Sequence, residues 1–560
     1  MLLHQLASFE GRFEELSAER NDDELDAGPA DRFLFDLSAL VDDGFIAAQR
    51  AVALYRAKIE ECGGRLVVVL PAGLDHLLDA DLAPLVVNLV RPRGEVVFRK
   101  YLKAMGISFQ PDQLTSPELE QLFAQAPMRD LARLSEMVRR ARDSRHCGNS
   151  LSSWCDAAVS AVTNWSDAVA RQVAAHRSVQ ERALLLTAAM FSGASADAVF
   201  LGTDRLLEKL DHQDDETPQL ARADLGEQLK ALKIDRAPDA RVGFEQLAYD
   251  GAVRTHFWAN FPHLRDALRD WVGHSMSLAE LTSEDRMNLV ARFAEQSLAV
   301  GRPHDLCSLT EQWTRPSARG TMRAEAAAAL EYGLSHERYG GAFRTQIYEW
   351  VTSSRLAPDL VSVITGVCLQ VMAATHADQA LVRLHHLALR HGGENIEGPG
   401  SALLELAKSN RRMYQRFVRR LIARPDTSRS AAGSALLLGI VDPDGLRIMP
   451  AWPALSLAWS VVMAECPPAE WEPQVHHWLS AVAGAARWDP VLNVLLVATS
   501  GRRDLLSRLY VITGDWVRVS VQDRAIREAT AARFWHKIDA IQGAGSMAVF
   551  HIEENSGGIT

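Results

Sequence analysis

Two short apolar segments near the amino terminus constrain the fold of this chain most. Residues 32–40 read RFLFDLSAL, residues 65–73 read RLVVVLPAG, and residues 42–61 between them have the spacing of an amphipathic helix. Nearly continuous apolar strands are typical of parallel sheets that helices cover on both faces. The two segments therefore predict strands over 32–37 and 65–70 that share a sheet through a parallel crossover.

The rest of the sequence has the apolar periodicity of helices. Before residue 275, helical spacing recurs at 117–126, 128–145, 150–176, 178–191 and 196–212, and 241–250 follows as a short extended segment. Helices followed by a short extended piece are found in winged-helix domains, and a plain helical bundle fits the same pattern. From about residue 275 onward nearly every segment reads as a helix between short Gly, Pro or Asn breaks.

These patterns predict a mainly α fold with a small α/β remnant. The predicted segments are a partial α/β core over 1–107, a helical or winged-helix region over 108–274, helical repeats over 275–541 and a disordered tail over 542–560. Paired helices at this density are typical of an α-solenoid of the HEAT or TPR kind, although no repeat consensus is visible.

Composition excludes several classes of protein. The six cysteines are scattered without a CxxC pair, which argues against a disulfide framework or a zinc site. No window approaches the roughly 18 consecutive apolar residues of a membrane-spanning helix, and the amino terminus lacks a secretory leader. With a net charge of −11, the chain is not a generic nucleic-acid binder. We therefore expect a cytoplasmic protein with no membrane span and no metal site.

Asp36 is the sharpest candidate for a functional residue. It lies near the carboxyl end of the first predicted strand, and open α/β sheets bind their ligands at that edge. The simpler interpretation is an acid that caps the turn after the strand. The sequence contains no G-x-x-x-x-G-K-[ST] loop, the motif that normally supplies most contacts to a triphosphate.

Residues 32–107, together with the helical section up to about 274, resemble the STAND and AAA branches of the P-loop NTPases. In that family a regulatory ATPase core is followed by helical, winged-helix and superhelical repeat regions. The resemblance implies that Asp36 would help to hold Mg²⁺ and that Arg91, in the passage from sheet to lid, would sense phosphate. It covers about half of the chain at most.

The chain also departs from the family pattern. Leu37 stands where a second, catalytic acid often follows the strand aspartate, and the phosphate loop is missing. ATP and Mg²⁺ are therefore expected as cofactors only if a P-loop is supplied from outside this chain. The first strand is missing too, so the sheet edge must be covered by residues 2–16, predicted as a helix, or by a partner.

Two arginine-rich amphipathic helices are predicted over 128–145 and 411–424. Each could contact nucleic acid, an acidic partner or a membrane surface, and the simpler interpretation is a solvated face paired with nearby acids. Seven tryptophans between 452 and 535 form either a partner surface or, as we prefer, core between stacked helices. The adjacent pairs His385-His386 and His476-His477 cannot easily chelate one metal, because neighbouring side chains on a helix diverge.

The leading hypothesis is a noncatalytic regulatory or scaffold protein, related to STAND-type NTPases, that binds protein partners through its helical repeats. Solenoids present long surfaces that are suited to binding. One alternative is an ATP-dependent switch whose P-loop lies outside this chain. Another is a nucleic-acid-associated protein that uses a winged helix and the basic helices. Without a complete ATPase motif, we expect no autonomous catalysis.

Overall fold

The computed structural model describes residues 13–16, 28–29, 31–38, 42–71, 73–88, 91–144, 147–163, 165–212, 223–316, 322–353, 356–391, 398–422, 431–443, 452–483, 489–519 and 523–542. The described chain is mainly helical, which confirms the predicted class. It divides into two compact units. One comprises residues 1–86, 347–356 and 361–560, and the other comprises 87–346 and 357–360.

A three-stranded parallel sheet lies near the amino terminus. Its strands are β1 (Phe13–Leu16), β2 (Arg32–Asp36) and β3 (Arg65–Val69), in the order β1-β2-β3, and helix α1 (Asp42–Glu61) connects β2 to β3. Alternate side chains of β2 are buried against one face of α1 because side chains along a strand point to opposite sides. Gly63, at a φ of 73°, follows the end of α1, where the left-handed backbone favours glycine.

The predicted helix over residues 2–16 is wrong for the part that the structure describes. Residues 13–16 are the strand β1, which pairs in parallel with β2 from Phe13↔Arg32 to Leu16↔Phe35. Leu16 is buried in the same core as the aromatic residues of β2. A strand fits here better than a helix because it supplies backbone partners to an otherwise open sheet edge.

Five helices follow in the second unit and enclose a core of their own. They are α2 (Gly94–Ala104), α3 (Pro117–Gln125), α4 (Met128–Asp143), α5 (Leu151–Thr163) and α6 (Trp165–Ala175). Phe98 and Phe123 lie with ring centroids 5.2 Å apart in this core, which α4 and α5 complete through Leu131 and Val159. The helix predicted over 150–176 corresponds to α5 and α6, and residue 164 between them lies outside the described residues.

Three helices and a hairpin come next in the same unit. They are α7 (Val179–Met190), α8 (Ala196–Lys209), α9 (Leu225–Ala231), β4 (Ile234–Arg236) and β5 (Val242–Phe244). The two strands are antiparallel, and Ser195, between α7 and α8, forms a β-bridge with Arg241 beside β5. The element order is therefore helix, bridge, helix, helix and a two-stranded hairpin whose second strand extends to the bridge.

The second unit continues with helices that pack in alternation. They are α10 (Tyr249–Asn260), α11 (Arg265–Ser275), α12 (Ser283–Ala299), α13 (Pro303–Trp313) and α14 (Arg323–Leu334). Helix α10 packs on α12 and α12 packs on α14, while α11 packs on α13. The sequence patterns missed α9, α10 and α11.

The remaining helices run from 340 to 542. They are α15 (Gly340–Thr352), α16 (Pro358–Val367), α17 (Ala377–His391), α18 (Pro399–Lys408), α19 (Arg411–Ile422), α20 (Ala431–Val441), α21 (Trp452–Glu465), α22 (Pro468–Val482), α23 (Asp489–Ala498), α24 (Arg503–Arg518) and α25 (Arg524–Gln542). Helices α17, α19, α21 and α23 pack in one series, and α18, α20, α22 and α24 pack in a second. Within the described residues, four pairs of consecutive helices join the two series: α17 with α18, α18 with α19, α20 with α21, and α21 with α22.

Among the described residues, one helical stretch, Pro358–Thr375, is long and apolar enough to cross a membrane. Several of its apolar side chains, including Ile364 and Cys368, are fully buried within the protein. A core helix has the same composition, so the described chain contains no clear membrane span. The tail predicted over 542–560 lies, apart from Gln542, outside the described residues.

Candidate functional site

Asp36 ends β2, and its side chain is exposed at the carboxyl edge of the sheet. Its Oδ1 accepts a hydrogen bond of 2.9 Å from the backbone N–H of Ser38. This contact satisfies the turn after the strand, as in the simpler interpretation of this residue. The remaining carboxylate oxygen faces the edge at which parallel sheets bind ligands. The geometry is thus compatible with both roles, and a role in Mg²⁺ binding stays a prediction.

Arg91 holds the carboxyl end of a helix. Its guanidinium donates to the backbone carbonyls of Phe123 at 3.3 Å, Gln125 at 3.3 Å and Ala126 at 2.5 Å, which end α3. A cation at this position satisfies carbonyls that have no partner within the helix and interacts favourably with the helix dipole. Asp36 and Arg91 belong to different compact units, and the structure gives each a local structural contact.

The first arginine-rich helix, α4, is paired with its own acids. Arg139 contacts Glu136 at 2.5 Å and Asp143 at 3.1 Å, and Arg140 contacts Glu136 at 3.2 Å. The hydrogen bond from Arg139 lowers the pKa of Glu136. The helix therefore offers less free positive charge than its composition suggests, in agreement with a solvated, self-paired face.

The second arginine-rich helix, α19, turns part of its basic face inward. Arg412 is buried and lies 3.2 Å from Asp378 of α17, and Arg416 also pairs with that carboxylate. Arg420 donates to Nδ1 of His385 at 2.8 Å and contacts His386. The adjacent histidines thus share an arginine partner on a neighbouring helix, which the sequence could not show.

A buried polar cluster in the second unit lies at the end of α7. Arg254 of α10 donates to the carbonyl of Ala189 at 2.7 Å and to Oδ2 of Asp250 at 2.6 Å. Arg292 of α12 donates to the carbonyl of Met190 at 2.8 Å and to that of Ser192 at 2.7 Å.

Burial opposes ionisation of Asp250, but the charge and hydrogen bond of Arg254, together with the charge of Arg292 and the backbone of Gly251, lower the pKa of this carboxyl. Burial and the charge of Arg254 lower the pKa of Arg292 to about 10. This cluster ties two later helices to the end of α7. The sequence shows no sign of this cluster, because its members lie up to 102 residues apart and belong to no motif.

Four of the seven tryptophans between 452 and 535 lie in the core: Trp459, Trp471, Trp478 and Trp516 are each no more than 2% exposed. The interpretation as core fits these four, whereas Trp452 is 37% exposed, Trp535 is partly exposed and Trp488 lies outside the described residues. Burial raises the pKa of Cys155 to about 12, so this thiol is a poor metal ligand at neutral pH. Among the described residues, no group of three or more His, Cys, Asp or Glu side chains is placed to hold a metal ion.

No protein-family model, no curated protein and no solved structure matches this chain.

Proposed function

We propose that this protein is a noncatalytic regulatory or scaffold protein that binds protein partners through its helical array, and that it is a relative of the STAND-type NTPases. One observation carries the proposal. In the array from α17 to α24, each helix packs on the helix two positions away, which forms two series, and contacts between α17 and α18, α18 and α19, α20 and α21, and α21 and α22 join the two series. Such packing is typical of α-solenoids, whose usual role is binding, and it supports the proposal.

The order of the preceding elements supports the family relationship. A parallel α/β segment is followed by helices α2 to α6, and these are followed by the helix, bridge and hairpin arrangement of α7 to β5. Winged-helix domains have such an order, with the strand between the first two helices joined to the hairpin. The same succession of α/β core, helices, winged helix and repeats characterises the family that the sequence resembles.

Charge disfavours a nucleic-acid role for the winged-helix-like segment. Over residues 224–244, which include α9 and the hairpin, the sequence carries four acidic and four basic residues. Nonspecific nucleic-acid affinity requires a surplus of basic side chains that neutralise phosphates. The inward-facing arginines of α19 are paired within the protein, so this helix has fewer cations available to bind nucleic acid. We therefore keep protein partners as the proposal.

The test is affinity purification with the full chain, quantified against surface variants. Val497 on α23 is 63% exposed and Val511 on α24 is 61% exposed, so Val497→Glu with Val511→Glu alters the array without opening its core. The matched control is Ile46→Glu with Leu54→Glu on α1, where the side chains are 50% and 53% exposed. We expect a stoichiometric partner that the control retains and the α23–α24 variant binds at least tenfold more weakly. Equal loss with both variants, or no partner at all, would contradict the proposal.

The alternative of an ATP-dependent switch is favoured by one feature, the exposed carboxylate of Asp36 at the carboxyl edge of the sheet. Titration of the full chain with ATP and Mg²⁺ in a calorimeter separates it from the scaffold proposal. Tight binding that Asp36→Ala abolishes, while Asp31→Ala preserves it, would replace the scaffold with a nucleotide switch. Asp31 suits the comparison because its carboxylate accepts a backbone hydrogen bond from Gly28 at the start of β2.

A further inference from the structure

Three buried indole N–H groups lie together in the helical array without an acceptor among the described residues. They belong to Trp459 of α21 and to Trp471 and Trp478 of α22. The exposed fractions of these side chains are 0%, 1% and 2%. The buried Oε1 of Gln474, also on α22, has no hydrogen-bond donor among the described residues either. Three hydrogen-bond donors and one acceptor that are unpaired among the described residues therefore lie within residues 459–478.

The spacing places three of these groups along one side of α22. Residues 471, 474 and 478 are separated by three and four positions, and such residues are neighbours on a helix surface. Trp459 reaches this side from α21, since its ring centroid lies 6.2 Å from that of Trp478 at an interplanar angle of 64°. Trp459 and Trp478 therefore meet between the two helices, and Trp471 and Gln474 lie on the same side of α22 as Trp478.

Native proteins rarely leave such groups without partners. Most buried side-chain polar atoms have a hydrogen-bond partner in the protein or in ordered water. The edge-to-face contact of Trp459 with Trp478 can direct one N–H at a ring face, and this weak bond can serve one donor at most. The N–H of Trp471 and the Oε1 of Gln474 still require partners, because these two groups do not bond to each other.

The surroundings decide which kind of partner fits. Leu455, Val462, Val475 and Leu479, on the same two helices, are fully buried. Bringing an ion among such side chains carries a large desolvation cost, whereas a neutral acceptor with its own O–H donors does not. Water both accepts from an indole N–H and donates to an amide oxygen, so it matches both halves of the set.

We propose that ordered water occupies an internal site between α21 and α22, where it accepts hydrogen bonds from the indole N–H groups of Trp471 and Trp478 and donates to Oε1 of Gln474. Because Gln474 is half-buried, it lies where the site meets the surface, and water exchanges past it. The array thus contains a polar, hydrated seam within an apolar core.

The test is nuclear magnetic resonance of the full chain, deuterated and labelled with ¹⁵N at tryptophan. We expect cross-relaxation between long-lived water and the indole N–H protons of Trp471 and Trp478. Trp271 is the dry control, because its buried indole donates to the carbonyl of Gly202 at 2.9 Å. Water signals at Trp471 and Trp478 that are no stronger than those at Trp271 would overturn the proposal.

Two variants provide a second measurement. Gln474→Met removes the amide that holds the water, so the water signal at Trp471 should fall at least twofold. Trp478→Phe should lower the melting temperature about as much as Trp516→Phe, because Trp516 loses a hydrogen bond of 2.8 Å to Ser480 Oγ. A melting temperature for Trp478→Phe at or above that of the unmodified chain would show that its N–H had no partner, and would refute the site.

Discussion

The contact of Arg254 with the end of α7 leads to the most specific stability prediction. Arg254→Met keeps a long apolar stem but removes the hydrogen bonds to the carbonyl of Ala189, at 2.7 Å, and to Asp250, at 2.6 Å. Breaking a buried ion pair by removing one partner costs about 3–5 kcal/mol. Since the side chain of Asp250 is 24% exposed, water compensates part of this loss, and we expect about 3 kcal/mol, the lower end of that range.

Hydrogen exchange of the backbone amides in α7 measures this cost locally. A local measurement is needed because a protein with two compact units does not unfold as a simple two-state system. A loss of about 3 kcal/mol corresponds to exchange about a hundredfold faster, because each 1.4 kcal/mol is a factor of ten. The affected amides should be those of residues 183–190, which are buried throughout.

Arg518→Met is the matched control, because the Arg518 side chain is 80% exposed and its ion pair with Asp515 is solvated. It should leave the exchange of α7 unchanged. The double variant Arg254→Met with Asp250→Asn should recover part of the loss, since no unpaired carboxylate then remains. Exchange in Arg254→Met within threefold of the unmodified chain would refute the reasoning that this ion pair secures α7.

Three further predictions concern single positions. The folded-state pKa of Asp250 lies below its unfolded value, so the stabilisation from this carboxylate is present above about pH 4 and is lost as the pH falls through the folded pKa. Asp250→Asn should therefore make the free energy of unfolding less dependent on pH in the acid range, as measured by circular dichroism. Gly94→Ala should cost about 1–3 kcal/mol in denaturant unfolding, because the added Cβ would lie 2.3 Å from the carbonyl oxygen of Phe123, whereas Gly243→Ala, with no atom within 4 Å, tests whether the clash is responsible. Arg91→Met should lower the free energy of unfolding by no more than about 1.5–3 kcal/mol for each charged hydrogen bond that is lost, and it should leave nucleotide binding unchanged. A loss of ATP affinity without a loss of stability would instead assign Arg91 the role of phosphate sensor.

Helices with a regular apolar face were predictable from the sequence. The bounds expected for α1 and α17 agree with the structure, because in both a continuous apolar side begins and ends at clear breaks. The helices α9, α10 and α11 were missed. They have 7, 12 and 11 residues, so an apolar periodicity extends over few turns, and most of their stability comes from tertiary packing.

The strand β1 shows a different limit of sequence patterns. FEEL has no β-like alternation of its own, and it becomes a strand because the edge of β2 offers backbone partners. The turn contact of Asp36 was foreseen as the simpler interpretation, because its partner is two residues away, whereas the role of Arg91 was out of reach because the carbonyls that it contacts lie more than thirty residues along the chain. A candidate residue can be located from sequence, but its distant partners cannot.

The alternating helix packing from α17 to α24 has a consequence for how this part of the chain acquires its structure. Most contacts join helices that are one or two positions apart, so few residues must find partners far along the chain. Low contact order of this kind is associated with fast folding, and growth can proceed from any adjacent pair of helices. The same locality means that a defect in one pair weakens its neighbours first, and that helices can be gained or lost in pairs while the rest of the array keeps its packing.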